Sequence, residues 1–194
     1  GQLIVIDISA LAPLIAFVGV ALIAFFKNKK LDMIGGIIAG LGILFMGMEM
    51  MSGAMMPLRD SKEFVNIVST FKNPLIGILV GAIFTAIIQS SSASVGILIA
   101  LAKSGVITLS SSIYVLFGQN IGTCITAVLA SIGTSRNAKR TTIIHLSFNI
   151  IGTIIFVTIS LLFPFADIVA SLTPGNVPAQ IANVHTIFNI GTTI

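Results

Sequence analysis

From Asn73 to Ala102 the chain carries no charged side chain, and from Ser104 to Ser135 it carries none again. A soluble fold cannot be made this way, because its surface needs charge to stay in water. Charged residues are 8% of the whole chain, where soluble domains carry about 25%. Mean hydropathy is +1.11. The same numbers exclude disorder, which needs low hydrophobicity and high charge. They also speak against nucleic-acid binding: the net charge is +4, but its ten basic residues are scattered between apolar runs and form no patch. The fold class that remains is an all-α polytopic membrane protein.

The length of 194 residues suits one transmembrane domain over residues 1–194. The first section, 1–56, reads as two spanning helices. Ser9–Phe26 is apolar and barely long enough to cross. Met33–Gly53 matches the hydrocarbon core, and Gly36 with Gly40 forms a small-xxx-small pair for close packing. Glu49 is its only charge and sits near the end of the span. An interfacial glutamate fits that position better than a buried cation ligand. Residues 57–73 mix Arg59, Asp60, Lys62, Glu63 and Lys72 with a helical stripe of Phe64, Val65, Ile67, Val68 and Phe71, which predicts an interfacial segment.

Residues 74–103 constrain the topology most. Pro74–Ile88 is apolar, Gln89-Ser90-Ser91-Ser92-Ala93-Ser94 is polar, and Val95–Ala102 is apolar again. As one helix this stretch would be about 43 Å long, too long for a core of about 30 Å. As two full spans each arm is too short. A re-entrant hairpin with its polar tip near the midplane fits both lengths, provided protein or a wet cavity surrounds the tip. Gly77 and Gly81 would let its arms approach. Residues 110–133 are long enough for one crossing. Gly118-Gln119-Asn120-Ile121-Gly122-Thr123 at their centre predicts a broken helix, with Ser110–Ser112 offering an N-cap. A further span covers 141–164, Phe165–Gln180 reads as a connection, and 181–194 begins another helix.

Charge supports the hairpin. If 74–103 returns to the side it left, Lys27–Lys30 and Arg136–Arg140 share one side. That side then holds six basic residues against Asp32, and the other holds four against Asp60 and Glu63. One short repeat stands out: His145-Leu146-Ser147-Phe148-Asn149 recurs as His185-Thr186-Ile187-Phe188-Asn189. Its His and Asn share a helix face and read as a hydrogen-bond clasp between helices ahead of a substrate contact.

Both polar breaks are neutral and dense in oxygens: Thr85, Gln89, Ser90, Ser91, Ser92 and Ser94, then Gln119, Asn120, Thr123 and Thr126. Half-helix N-termini suit an anion. Half-helix C-termini with hydroxyl and amide oxygens suit a dehydrated Na⁺. A neutral site that takes an oxyanion gains from a co-bound cation. Serines can also merely join helices, but the run from Gln89 to Ser94, followed by a second break, exceeds that need. Enzyme chemistry finds no support, since no Ser/His/Asp constellation, phosphate loop or CxxC occurs. Cys124 is the one cysteine, and a count of two histidines speaks against a histidine-built transition-metal site. Residues 1–8 hold no basic n-region of a signal peptide. Gly1 and the apolar end at Ile194 suggest a fragment.

Thr85-Ala86-Ile87-Ile88-Gln89-Ser90-Ser91-Ser92-Ala93 resembles the QSSS signature of the type II sodium-dependent phosphate cotransporters and their bacterial relatives. Gly118-Gln119-Asn120-Ile121-Gly122-Thr123 resembles that family's second signature, and Ala138-Lys139-Arg140 leading to His145, Phe148 and Asn149 is also similar. The resemblance implies sodium-coupled phosphate transport by alternating access through inverted repeats, each with one hairpin and one broken helix. This chain looks like the second QSSS repeat, hence one half of such a transporter. By that resemblance Gln89, Ser90, Ser91, Ser92, Gln119, Asn120 and Thr123 bind phosphate. Thr85, Gln89, Ser92, Asn120 and Thr123 are its implied Na⁺ ligands, with no organic cofactor. The implied partners are phosphate, membrane lipid, and a missing first repeat or a second copy in a dimer. The implied location is a bacterial inner membrane. Residue chemistry alone leaves open a carrier of sulfate or a dicarboxylate, or a non-transporting membrane subunit.

The hairpin reading makes a topological prediction. In a Cys124→Ser background, Lys72→Cys and Lys103→Cys react with a membrane-impermeant thiol reagent from the same face. Labelling from opposite faces refutes the hairpin.

Overall fold

The computed structural model describes residues 9–26 and 28–193. The two chain ends discussed above, residues 1–8 and the basic residue Lys27 therefore lie outside the described residues, as do the side chains of Arg59 and Val65. The described residues form helices joined by short turns: α1 (Ala12–Phe25), α2 (Lys29–Met55), α3 (Lys62–Ser69), α4 (Pro74–Ile88), α5 (Ser91–Lys103), α6 (Leu109–Ser131), α7 (Arg136–Leu162), α8 (Phe165–Leu172) and α9 (Val177–Thr193). No strand occurs among them. Three helical stretches are long and apolar enough to cross a bilayer: Lys29–Ala54, Leu109–Ser131 and Arg136–Leu162. Ile143, Ile144, Ile151, Ile154 and Ile155 stand exposed on α7, as a lipid-facing surface requires. The chain is a multi-pass integral membrane protein.

Local chemistry sets the helix boundaries. Asn28 caps α2 by accepting from Lys30 N at 2.9 Å. Ser61 caps α3 through Phe64 N at 3.3 Å, and the axis then turns by 108° into α4. At that turn Asn73 accepts from Leu75 N at 3.0 Å, and Pro74 opens α4 where its missing N–H costs nothing. The cap of α6 is Thr108, paired with Ser111 in a reciprocal capping box. The expected cap within Ser110–Ser112 is thus corrected, because the helix starts one residue before that run.

Helices α1 and α2 pack antiparallel with their backbones touching. A methyl group at Gly19 would strike Ala39 and Gly35, and one at Gly42 would strike Ala16 and Ala12. Gly36 and Gly40, expected to form a close-packing pair, have open space around them. The α1 helix is also shorter than the expected span, with 14 residues.

Helix α4 runs parallel to α6 along a second such seam. Gly77 abuts Tyr114, Gly81 abuts Val115 and Gln119, Gly118 abuts Ile78, and Gly122 abuts Ala82 and Thr85. These glycines therefore serve α6 and not the other arm of the hairpin, which is a correction. Helix α5 folds back: Ser94 lies level with Gln119, and Leu98 and Leu101 line one small cavity with Val80, Phe84 and Val115. It ends beside α2, where Lys103 pairs with Glu49 at 2.7 Å and Ser52 Oγ donates to Ala100 O at 3.4 Å. Both groups of that ion pair are partly exposed, in keeping with a glutamate at a helix end. Ser92, at the other end of α5, faces the middle of α2 near Gly40 and Gly47. The bend at Gln89–Ser90 thus stands about halfway along α2 and α6. The first residues of α2 and the Arg136 end of α7 share the opposite end of the bundle from Lys72 and Lys103.

Helix α7 returns antiparallel to α6: Thr142 Oγ1 donates to Ala127 O at 3.3 Å and Thr153 Oγ1 to Phe117 O at 3.3 Å. Phe117 is fully buried, with ring centroids 5.3 Å from Phe188 and 5.8 Å from Phe156. This aromatic cluster ties α6 to α7, α8 and α9. The stretch read as a connection, Phe165–Gln180, contains α8 and the first turn of α9.

The α4–α6 seam predicts a sharp contrast. Gly81→Ala or Gly118→Ala forces two backbones apart and lowers stability by about 1–3 kcal/mol. Gly36→Ala and Gly40→Ala leave it unchanged or higher, as thermal unfolding in detergent will show.

Candidate substrate and ion site

The tip of the hairpin is built by two helix ends that meet within two residues. Helix α4 stops because Gln89 adopts the left-handed conformation, with φ 57° and ψ 23°. Its N–H closes the last turn on Thr85 O at 2.7 Å. Ser90 is extended and caps α5, its Oγ accepting from Ala93 N at 3.2 Å and its carbonyl from Ser94 N at 3.0 Å. The N–H groups of Ser91 and Ser92 open the new helix and have no carbonyl one turn behind them. The carbonyls of Ala86, Ile87 and Ile88 accept no backbone bond across the bend. One tip therefore presents the positive end of α5 and the negative end of α4. Gln89 and Ser92 are exposed, and Ser90 and Ser91 are half-buried.

The second polar segment is not broken. Helix α6 runs continuously through Gly118–Thr123, correcting the expected broken helix. Its glycines are spent on contact with α4. Its polar groups bond their own backbone: Asn120 Nδ2 donates to Leu116 O at 2.9 Å and Thr123 Oγ1 to Gln119 O at 2.8 Å. Such bonding to the carbonyl four residues back leaves the helix intact. The lone pairs of Thr123 Oγ1 and Asn120 Oδ1 are still open to a cation.

Of the residues singled out in the sequence, the structure brings Thr85 and Gln119 to the same seam. Thr85 packs on Gly122, and Gln119 Nε2 reaches across to Ser94 O at 3.2 Å. Asn120 and Thr123 are tied to α6 itself. Ser94 appeared only in the inventory of polar residues, yet it is fully buried here. The available signal was its place one turn after Ser90. In the His-Asn repeat, Asn149 Nδ2 donates to His145 O at 2.9 Å and Asn189 Nδ2 to His185 O at 2.7 Å, within their own helices. The first copy also joins two helices, because the Cys124 thiol of α6 is hydrogen-bonded to the Asn149 side chain and lies 3.9 Å from His145 O.

Among the described residues no group of three His, Cys, Asp or Glu side chains could hold a metal ion. What the tip offers is neutral oxygen and backbone dipole. Beside it an apolar cleft of about 450 Å³ lies between α2 and α5, with Ser92 at its rim and Gly40, Gly47 and Gly96 on its walls.

The profile of the Na⁺/Pi-cotransporter family matches residues 1–53 and 57–172. The chain belongs to this family. It is 34% identical over 172 residues to YqeW of Bacillus subtilis, an alignment that covers 84% of this chain and 53% of that protein. It is 26% identical over 170 residues to YjbB of Escherichia coli, named for inorganic phosphate export, covering 87% of this chain and 30% of that one. It is 26% identical over 141 residues to human sodium-dependent phosphate transport protein 2B, covering 70% and 20%. The chain thus spans about half the length of YqeW and less of the other two. No solved structure matches it.

The tip geometry predicts the effect of one substitution. Gln89→Gly relieves a left-handed non-glycine residue and raises stability by about 1 kcal/mol, as thermal unfolding in detergent will show.

Proposed function

We propose that this chain supplies one repeat of a sodium-coupled inorganic phosphate transporter that works by alternating access. The observation that carries the reading is the Gln89–Ser90 bend, where the N-terminus of one helix and the C-terminus of another meet within two residues. An oxyanion takes the N–H groups of Ser91 and Ser92 and the side chains of Gln89, Ser90, Ser91 and Ser92. Gln119, Asn120 and Thr123 line the opposing helix. Thr85, Gln89, Ser92, Asn120 and Thr123 offer oxygens to Na⁺. Bound cation and anion lower each other's energy in a site without formal charge, so each favours the other's binding. No proton transfer or covalent step is needed, in keeping with a carrier and not an enzyme.

The re-entrant reading draws support from the level of the bend, halfway along two membrane-crossing helices. Phosphate is preferred to sulfate or a dicarboxylate because two of the relatives, YjbB and human protein 2B, are named for phosphate. Exposure of Gln89 and Ser92 at the tip supports a site shared with another repeat, supplied by an inverted companion segment or by a second copy. Such a site lies where the two repeats meet, and each must rock against the other to alternate access.

The test is phosphate uptake into proteoliposomes at chain densities that allow pairing, with and without an inward sodium gradient. Uptake is expected to need sodium and to persist against excess sulfate or succinate. Ser91→Ala weakens phosphate binding about tenfold, the effect of losing one hydrogen bond to a charged ligand. Sodium-independent flux, or full competition by sulfate, overturns the assignment.

A further inference from the structure

The turn before α4, the starts of α6 and α8 and the last turn of α7 meet around a pocket of about 200 Å³, lined by Lys72, Ser110, Ile113, Tyr114, Ser160 and Ala166. It lies at the Lys72 end of the bundle, where the long apolar helix α6 begins and α7 ends. It shares no residue with the Gln89–Ser92 tip. The turn that carries Lys72 is held in place from both sides. A methyl group at Gly77 would strike both Phe71 O and Tyr114 Cβ, and Asn73 fixes the start of α4 by accepting from Leu75 N and Ile76 N. Among the described residues Lys72 has no ion pair, and the hydroxyls of Ser110 and Tyr114 have no hydrogen-bond partner. Ser160 differs, since its hydroxyl donates to Phe156 O at 2.8 Å. Ser110 is also the second residue of α6, so its backbone N–H belongs to a first turn with no carbonyl behind it. Asp167, one residue past Ala166, is exposed and does not line the pocket.

We propose that this pocket binds a phosphate-type oxyanion and that a phospholipid headgroup supplies it. Lys72 brings the charge, and the hydroxyls of Tyr114 and Ser110 bring donors that no other group uses. Hydrogen bonds from such donors to an ionised oxygen are the strong kind. A water in the liquid takes about 30 Å³, so the pocket has room for a phosphate group that keeps part of its hydration. Lipid is the source within reach. Leu75 and Leu79 of α4 and Leu161, Leu162 and Phe163 at the end of α7 are exposed, which brings acyl chains to the level of the pocket. Tyr114 is the only tyrosine of a chain without tryptophan, and such rings gather at headgroup depth. Basic pockets between membrane-crossing helices are where anionic headgroups are held. Free phosphate has the same chemistry, and the experiment separates the two. The proposal is independent of the transport reading.

Thermal unfolding of the 194-residue chain is measured in a neutral, phosphate-free detergent with potassium as the only cation. The additions are dioleoyl phosphatidic acid, dioleoylglycerol or inorganic phosphate. Phosphatidic acid is expected to raise the midpoint, and dioleoylglycerol, with the same tails and no phosphate, is not. Lys72→Gln and Tyr114→Phe each weaken the response to phosphatidic acid about tenfold, the effect of losing one hydrogen bond to a charged ligand. Lys72→Arg restores most of it. Ser160→Ala leaves it unchanged, because that hydroxyl hydrogen is already given to Phe156 O. Lys72 is exposed, so Lys72→Gln folds and decides the matter even if Tyr114→Phe is less stable. An equal response to dioleoylglycerol, or an undiminished response of Lys72→Gln to phosphatidic acid, overturns the proposal. A response to inorganic phosphate alone, lost in Lys72→Gln and kept in Ser91→Ala, leaves the oxyanion site standing with soluble phosphate as its occupant. The reverse pattern, lost in Ser91→Ala and kept in Lys72→Gln with no response to phosphatidic acid, places the anion at the tip and refutes this pocket as a site.

Discussion

Backbone contact between α4 and α6 is the constraint on which the rest of the structure depends. In lipid no hydrophobic force drives two apolar helices together, so close packing must do it. Gly77 and Gly81 on one helix, with Gly118 and Gly122 on the other, bring carbonyls to where a side chain would otherwise sit. That approach sets the depth of the Gln89–Ser90 bend. It places Thr85 against Gly122 and Gln119 against Gly81. It also leaves α5 to fold back over the outside of the pair, where Glu49 and Ser52 of α2 hold its far end.

The same residue types meet two fates in this seam. On α6, Asn120 and Thr123 satisfy their donors on carbonyls of their own helix. At the tip Ser90 is used as a cap, while Gln89, Ser91 and Ser92 have no helix of their own to bond back to. Polar groups in the first position keep a helix whole. In the second they stay open to their surroundings. The distinction follows from whether an intact turn precedes the residue, and that is a property of the backbone.

This explains what could be read in advance. Segment lengths and charge gaps were legible, so the membrane class, the long helices and the bend at Gln89–Ser90 followed from the sequence. The face that each helix presents was not legible. A helix that is apolar all round carries no periodic signal, so Gly36 and Gly40 looked as suitable for contact as Gly35 and Gly42, and the arms of the hairpin looked as suitable for Gly77 and Gly81 as α6. The supposed break in α6 failed for a related reason: two glycines among amides suit an unwound segment and a tight helix seam equally. Ser94 went unweighted because nothing local separates a buried serine from an exposed one.

The two helix ends at the bend constrain what a single repeat can do. A helix end attracts one sign of charge only over its first or last turn, so α4 and α5 can act on a pair of ions only if both sit within that range of Gln89 and Ser90. Such a pair is neutral as a unit relative to either ion alone, and its cost of transfer into a dry site falls accordingly. Yet the outward faces of Gln89 and Ser92 remain exposed, and one side of the bend cannot seal an ion pair from water. A bend at this depth is stable in lipid only when protein or a wet cavity covers it. Under the proposed reading, the surface that would bind the ions is therefore also the surface that must be covered, and whatever covers it would control which side of the membrane the ions can reach.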